Sequence, residues 1–475
     1  MAPASEASTS SSEGGADAPE DVELLKGWRV NDGVPSLPEI NGTIAVPVAS
    51  RPWFAQLAAF AGVGSMISVG YMDPGNWATD LQGGAQYGYT LLVVVLLSNL
   101  LAMFLQSLSL RLGIVSERDL AQACRDAYPK WVTYGLWLVL EVAIAATDLA
   151  EVIGSATAIY LLSNGVVPLW AGVLITAVDV LVILIMGTRN FRALELLVAT
   201  LIALIAGIFA YELARVKPDW LLVAKGLIPD PIIIRDPGML YVAIGILGAT
   251  VMPHNIVLHS SLIQTRGYPR TTAGKRMAVR YGTWDSCLSL CAAFFVNAAI
   301  LVLAAAAFHY GTNPRPDIAG IADAYELLAP ALGSHAARIL FGVALLACGQ
   351  NSAITGTLAG QIVMEGMLSI RLRPWVRRMF TRTLAIVPAA IVAGVYGAAG
   401  AGRLLILSQV ILSLTLSFAV VPLVHFTGSR AKMGSFVSSL PTRVIAAVLA
   451  VIIAGVNAYL IVSGIINNTF ATASS

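Results

Sequence analysis

Charge is what this sequence has least of. Only 12% of its 475 residues are Asp, Glu, Lys or Arg, against 57% hydrophobic ones, and the mean hydropathy is +0.77. Water-soluble globular chains carry roughly twice that share of charge, so composition excludes that class and implies a polytopic membrane protein. Cysteine is scarce too. Cys124, Cys287, Cys291 and Cys348 form no C-x-x-C and have no histidine nearby, which excludes the usual zinc and redox spacings and leaves small apolar packing residues. No basic segment leads into a short apolar core, so no cleavable signal peptide is read. No G-x-x-x-x-G-K-[S/T] loop occurs, and ATP-driven pumping would need a separate subunit. Nothing marks an enzyme or a prosthetic group. The formal net charge of +2 calls for no nucleic-acid partner.

What the chain has instead is long apolar runs. At the roughly 20 residues that a bilayer requires, spans are expected at 53–83, 88–112, 131–162, 166–187, 190–214, 238–264, 282–308, 335–367, 376–398, 404–426 and 442–465. All eleven read as helices, because lipid forces backbone groups to pair within each segment. If the N-terminus is cytoplasmic, 22 of the 29 Lys and Arg fall on inside segments. This bias sets the N-terminus inside and, with an odd span count, the C-terminus outside, as for a multi-pass plasma-membrane protein. Residues 1–50 differ in kind: eight Asp or Glu stand against two Lys or Arg, as in a disordered cytoplasmic tail.

Two spans are interrupted. The run Trp53 to Met72 carries no charge and then meets Asp73, Pro74, Gly75 and Asn76. The sixth span, "GILGATVMPHNIVLHSSLIQTR", breaks at Met252, Pro253, His254 and Asn255. Paired Pro-interrupted segments at matching places in two halves point to a transporter site near the bilayer midplane, where unwound backbone lines a cavity. Spans one to five (51–214) and six to ten (238–426) then form two inverted repeats, with 442–465 as an eleventh span. Asp73 offers a hard anionic oxygen, Asn76 an amide oxygen, the broken sixth helix a carbonyl such as that of Ala249, and Met252 a thioether. That mixture suits a borderline divalent ion. A small organic cation or amino acid bound in the same fold stays open on spacing alone.

Four segments carry a resemblance: "DPGN" at 73–76, "ATDLAEVIGSA" at 146–156, "MPHN" at 252–255 and "GQNSAITGTLAGQIVMEGML" at 349–368. Over residues 55–465 the chain resembles the Nramp family of proton-coupled divalent metal transporters. The resemblance implies a LeuT-type fold, import of Mn²⁺ and Fe²⁺, with Cd²⁺ or Co²⁺ also accepted, and protons as the driving ion. It places Asp73, Asn76, the Ala249 carbonyl and Met252 as metal ligands. Gln409, in "LILSQVILSL", matches the position that approaches the metal as the site closes, and Asn351 stands where many members have Ser. On the third span Asp148 and Glu151 share a face at i, i+3, with Glu141 two turns earlier, a carboxylate ladder fit for a proton relay. By resemblance Asp73 and His254 stand at its entrance. Arg377, Arg378 and Arg382 read as positive-inside anchors, although the family places arginines here that receive or repel the proton. His259 reads as a packing or gating group, Asp285 as interfacial, and Asp179 has no assigned role. The competing function class is a non-transporting sensor or receptor on the same scaffold, which would need a soluble output domain after the last span.

Overall fold

The structure, a computed structural model, describes residues 28–29, 35–46, 52–176, 191–311, 321–332, 335–371 and 374–466, with some side chains in the later helices outside that description. Helix dominates, and its interruptions fall where the sequence supplies them. The first span is three pieces, α1 (Trp53–Phe60), α2 (Val63–Val69) and α3 (Pro74–Tyr87). Gly62, at φ 115°, makes the first bend in a conformation that suits glycine. Pro74 makes the second, since proline is tolerated in a first helical turn where its missing N–H costs nothing. Then follow α4 (Leu92–Ser116), a short α5 (Leu120–Ala127) and α6 (Lys130–Leu162). Only part of the expected fourth span is described, and Asp179 lies outside the described residues. Next come α7 (Phe191–Val216), α8 (Pro237–Thr250), α9 (Pro253–Leu262) and α10 (Thr272–Ala304). The chain continues through α11 (Ile321–Leu332), α12 (His335–Leu368), α13 (Pro374–Gly428) and α14 (Leu440–Ile466). Within α13, Gly397 at φ 61° breaks the helix between the expected ninth and tenth spans. Seven helical segments among the described residues are long and apolar enough to cross a membrane.

The long α6 packs against α12 and α13, while α10 packs against α2, α3 and α4. Gly154 of α6 has no room for a Cβ because Pro74 fills that space. Close approach through small residues is how membrane helices gain contact without a hydrophobic drive, and here it presses α6 onto the start of α3.

One end of the bundle is knotted by charge. Arg266, fully buried just after α9, donates to Glu195 Oε1 of α7 at 2.8 Å and to the carbonyls of Phe60 and Ala61, both at 3.1 Å. Arg192 holds the other Glu195 oxygen at 2.8 Å. Asp285 of α10 is 7% exposed and accepts the Gly64 amide at 2.6 Å. α10 begins ten residues before the expected span start, and Asp285, expected to be interfacial, lies buried at this end of the bundle, where it caps α2. Together these groups satisfy the polar backbone freed by the bend at 61–62.

The N-terminal segment lies against the same end. Ile44–Ala45 (β1) pairs in parallel with Arg266–Gly267 (β2). The Leu37 amide donates to Glu365 Oε2 at 3.1 Å. Trp28 is held between the cations of Lys432 and Arg118, at 4.2 and 4.8 Å from its ring centre. Residues 28–29 and 35–46 thus narrow the stretch expected to lack structure across 1–50. Acid-rich composition obscured a few apolar anchors, Trp28, Leu37 and Ile44, which find partners only in three dimensions.

Candidate metal centre

Asp73 stands before Pro74 in extended conformation and caps α3, its Oδ1 accepting the Asn76 amide at 2.8 Å. It is fully buried, and its Oδ2 has no hydrogen-bond partner among the described residues. A buried carboxylate oxygen left so is costly unless something else comes to it. The Asn76 side-chain amide points the same way: one of its heavy atoms lies 2.6 Å from Asp73 Oδ1 and 3.2 Å from the Ala249 carbonyl. With nitrogen on that side these are two hydrogen bonds. With oxygen there, oxygens of Asp73, Asn76 and Ala249 converge, an arrangement that suits a bound cation.

The second break completes the setting. α8 ends at Thr250, Val251 and Met252 are non-helical, and Pro253 restarts the helix as α9. The Ala249 carbonyl falls in that last turn, where helical partners run out. Met252 is fully buried beside Ala143 and Ala146 of α6 and Leu412 of α13. Asn255 Nδ2 donates to the Ile67 carbonyl at 2.9 Å, tying the second break to the helix that leads into the first. Gln409 is fully buried on α13, with Oε1 unpartnered among the described residues. Its amide lies against Gly75, between Asp73 and Asn76, so closely that a Cβ at Gly75 would overlap it. Gly75→Ala should therefore leave the fold intact, because the obstruction is the end of a flexible side chain, but displace Gln409. We expect Mn²⁺ affinity to fall about tenfold, equivalent to about 1.4 kcal/mol, with an unchanged melting temperature; calorimetry and a thermal scan of the variant read both.

Two supporting residues escaped the sequence reading. The unwound carbonyls of Tyr71 and Met72 are held by Asn297 Nδ2 of α10 and Cys348 Sγ of α12, both at 2.6 Å. Asn297 stood in "FFVNAAILV" as a lone polar residue at membrane depth, a signal that was available. Cys348 carried none, since a buried cysteine is ordinarily packing.

The carboxylate face of α6 lies alongside. His254 Nδ1 is 3.5 Å from Thr147 Oγ1 and within coulombic range of Asp148. Asp148 and Glu151 are buried, and Glu151 Oε1 lies against Gly356 of α12. Glu141 is only half-buried and accepts the Trp137 indole N–H at 3.2 Å. His259 lies off this path, its Nδ1 2.9 Å from Gln106 Oε1, while Gln106 Nε2 donates to the Tyr71 hydroxyl. That is a packing chain, as expected. Asn351 Nδ2 donates to the Val198 carbonyl at 3.3 Å. Arg377 and Arg378 fall in the first turn of α13, with side chains outside the described residues, as is that of Arg382. No cluster of three or more His, Cys, Asp or Glu occurs among the described residues, so any metal held at the breaks uses a mixed donor set.

Comparison with known proteins shows the family. The family model for natural resistance-associated macrophage protein-like (Nramp) chains matches residues 64–463. The divalent metal cation transporter MntH of Listeria innocua is 54% identical over 434 residues, covering 91% of this chain and 96% of that one. A crystal structure of the Eremococcus coleocola manganese transporter superposes with a TM-score of 0.83 at 37% identity, over 91% of this chain and 92% of the other. A closed conformation of Mhp1, a nucleobase-cation-symport-1 family transporter, gives 0.57 at 12% identity over 86% and 83%, a likeness of fold alone. The helical LeuT-type architecture and the matched relatives agree: this chain is a membrane transporter, not an enzyme, and belongs to the Nramp family.

Proposed function

We propose that the protein imports divalent transition metal ions, Mn²⁺ and Fe²⁺ with Cd²⁺ and Co²⁺ also accepted, together with protons, by alternating access. The observation that carries the reading is the meeting of Asp73, Asn76 and the Ala249 carbonyl at two facing helix breaks. An arriving ion exchanges part of its hydration shell for these oxygens and the Met252 sulfur, and Gln409 closes over it from α13. The pieces that flank the breaks then move against α6, α12 and α13, exposing the ion to the other side. The sequence repeats 51–214 and 238–426 supply the symmetry for that motion, with 442–465 appended. The distribution of Lys and Arg supports a plasma-membrane orientation with the N-terminus cytoplasmic and the C-terminus extracellular.

Metal and proton compete for the Asp73 carboxylate, so metal affinity rises with pH. The proton leaves through His254, Thr147 and Asp148 to Glu151, with Glu141, Arg377 and Arg378 further along. Proteoliposomes loaded with a metal indicator and a pH dye, challenged with a panel of divalent ions, test the whole reading; metal uptake with no coupled acidification removes the proton from it. The division of labour has its own test. Asp148→Asn and Glu151→Gln should cut metal-stimulated acidification about tenfold or more while leaving the Kd for Mn²⁺ within about threefold of wild type, less than 1 kcal/mol. A loss of binding as large as that of an Asp73 variant would make them ligands or scaffold instead.

A further inference from the structure

Several cations at the knotted end of the bundle are matched by an acid. Arg118 and Arg125 pair with Asp126, Arg192 and Arg266 with Glu195, Lys275 with Glu117 at 3.0 Å. Arg111 and Arg276 are exceptions. Neither is in an ion pair or hydrogen bond among the described residues, and both line a cavity of about 340 Å³ with Ser435, Ser439 and Thr442, the hydroxyls of the last two bonded to each other at 2.8 Å. Arg111 is partly buried, at the end of the spanning helix α4. A partly desolvated guanidinium with no counter-charge is unfavourable unless an anion reaches it.

The surroundings say which anion. The cavity opens between the feet of α10 and α14, and both helices raise an exposed apolar stripe from it. On α10, Arg276 is followed one turn at a time by Arg280, Trp284 (63% exposed) and Leu288 (69%). On α14, Leu440 (68% exposed), Val444 (53%) and Val451 (71%) share one face, and only 17% of that helix's apolar window is buried. Two arginines and three hydroxyls match a phosphodiester, and the stripes above them match its acyl chains.

We propose that this cavity binds the headgroup phosphate of an anionic phospholipid, its acyl chains lying along α10 and α14. The site is independent of the metal reading and depends only on the chain's place in a membrane. The test is native mass spectrometry of the full-length protein titrated with phosphatidylglycerol and, separately, phosphatidylcholine. Wild type should retain phosphatidylglycerol selectively. Arg276→Gln, at an exposed position, should weaken it roughly fivefold, Arg111→Gln similarly, and the double variant about 25-fold, at about 1 kcal/mol per arginine near the membrane surface. Arg430→Gln, at an exposed position outside the cavity, should change nothing. Undiminished phosphatidylglycerol retention by the double variant overturns the proposal, as does an equal loss in Arg430→Gln, which would mean diffuse surface charge. Displacement of the lipid by millimolar inorganic phosphate would overturn the lipid assignment in favour of a free-phosphate site.

Discussion

Asp73→Asn should reduce Mn²⁺ uptake to background in proteoliposomes while the protein remains folded. Asparagine caps a helix about as well as aspartate, so α3 keeps its N-terminal hydrogen bond; alanine there would cost about 1 kcal/mol of cap energy and blur the result. What the substitution removes is the carboxylate charge, the single anionic contribution among the proposed ligands. A divalent ion giving up several waters needs that charge, because an amide, a carbonyl and a thioether together do not offset the lost hydration. The pH response should vanish too. In wild type, Mn²⁺ affinity climbs with pH as the proton is outcompeted; in the Asn variant residual binding should be flat between about pH 5 and 8, since the group that titrates against metal is gone. Isothermal titration at three pH values settles this. Wild-type uptake in a folded Asn variant would place the metal elsewhere in the chain.

Met252→Ala should alter which ions pass more than how well any one binds. Mg²⁺ and Ca²⁺ are far more abundant in cells than Mn²⁺, and an oxygen set would accept all three. A thioether is a poor exchange for water or oxygen at a hard cation, but Mn²⁺ and Fe²⁺ tolerate it and Cd²⁺ gains from it. Specificity is a difference of affinities, and here the sulfur supplies much of it by penalising the wrong ions. We expect Cd²⁺ uptake to drop by about tenfold or more, Mn²⁺ by about threefold, and Ca²⁺ or Mg²⁺ to become a substrate or an effective competitor. Met252 is fully buried among Ala143, Ala146 and Leu412, so truncation also leaves a cavity costing roughly 2–5 kcal/mol of stability. Met252→Leu fills most of it and should show the same change of selectivity. If both variants exclude Ca²⁺ and Mg²⁺ as wild type does, discrimination lies in the size of the closed cavity.

Much of this architecture was legible because lipid narrows the choices. Long apolar runs can only be helices, and a run broken by Asp-Pro-Gly-Asn or Met-Pro-His-Asn has little reason to exist at that depth except a site. The breaks before Pro74 and Pro253 appear where proline and the polar residues predicted them. The bend at Gly62 did not announce itself, because a single glycine in "FAGVGSM" looks like any small packing residue until its φ is known. The start of α10 lies before the span boundary drawn by hydropathy: Lys275, Arg276 and Arg280 sit within its first turns and lower its apolar average without ending the helix. Cys348 and Asn297 hold unwound carbonyls from helices far away in sequence, and no local pattern encodes a contact of that kind.

Arg266, Glu195, Arg192 and Asp285 bear on what it would cost to separate that end of the bundle. Had the bend in the first span been sealed by leucines, water would have no affinity for the seam, and separating it would expose apolar surface at full cost. Ions behave in the opposite way: each buried charge forgoes several kcal/mol of hydration that it recovers when water arrives. The seam is therefore held by mutual attraction yet already compatible with its wet state. The cost of closing and the gain on wetting oppose each other, so an open arrangement of this seam would lie nearer in energy to the closed one than it would for an apolar seam. Replacing Glu195 and Arg266 together by apolar residues would deprive Arg192 and the Phe60 and Ala61 carbonyls of these partners, so the bend in the first span ties the seam to its charges.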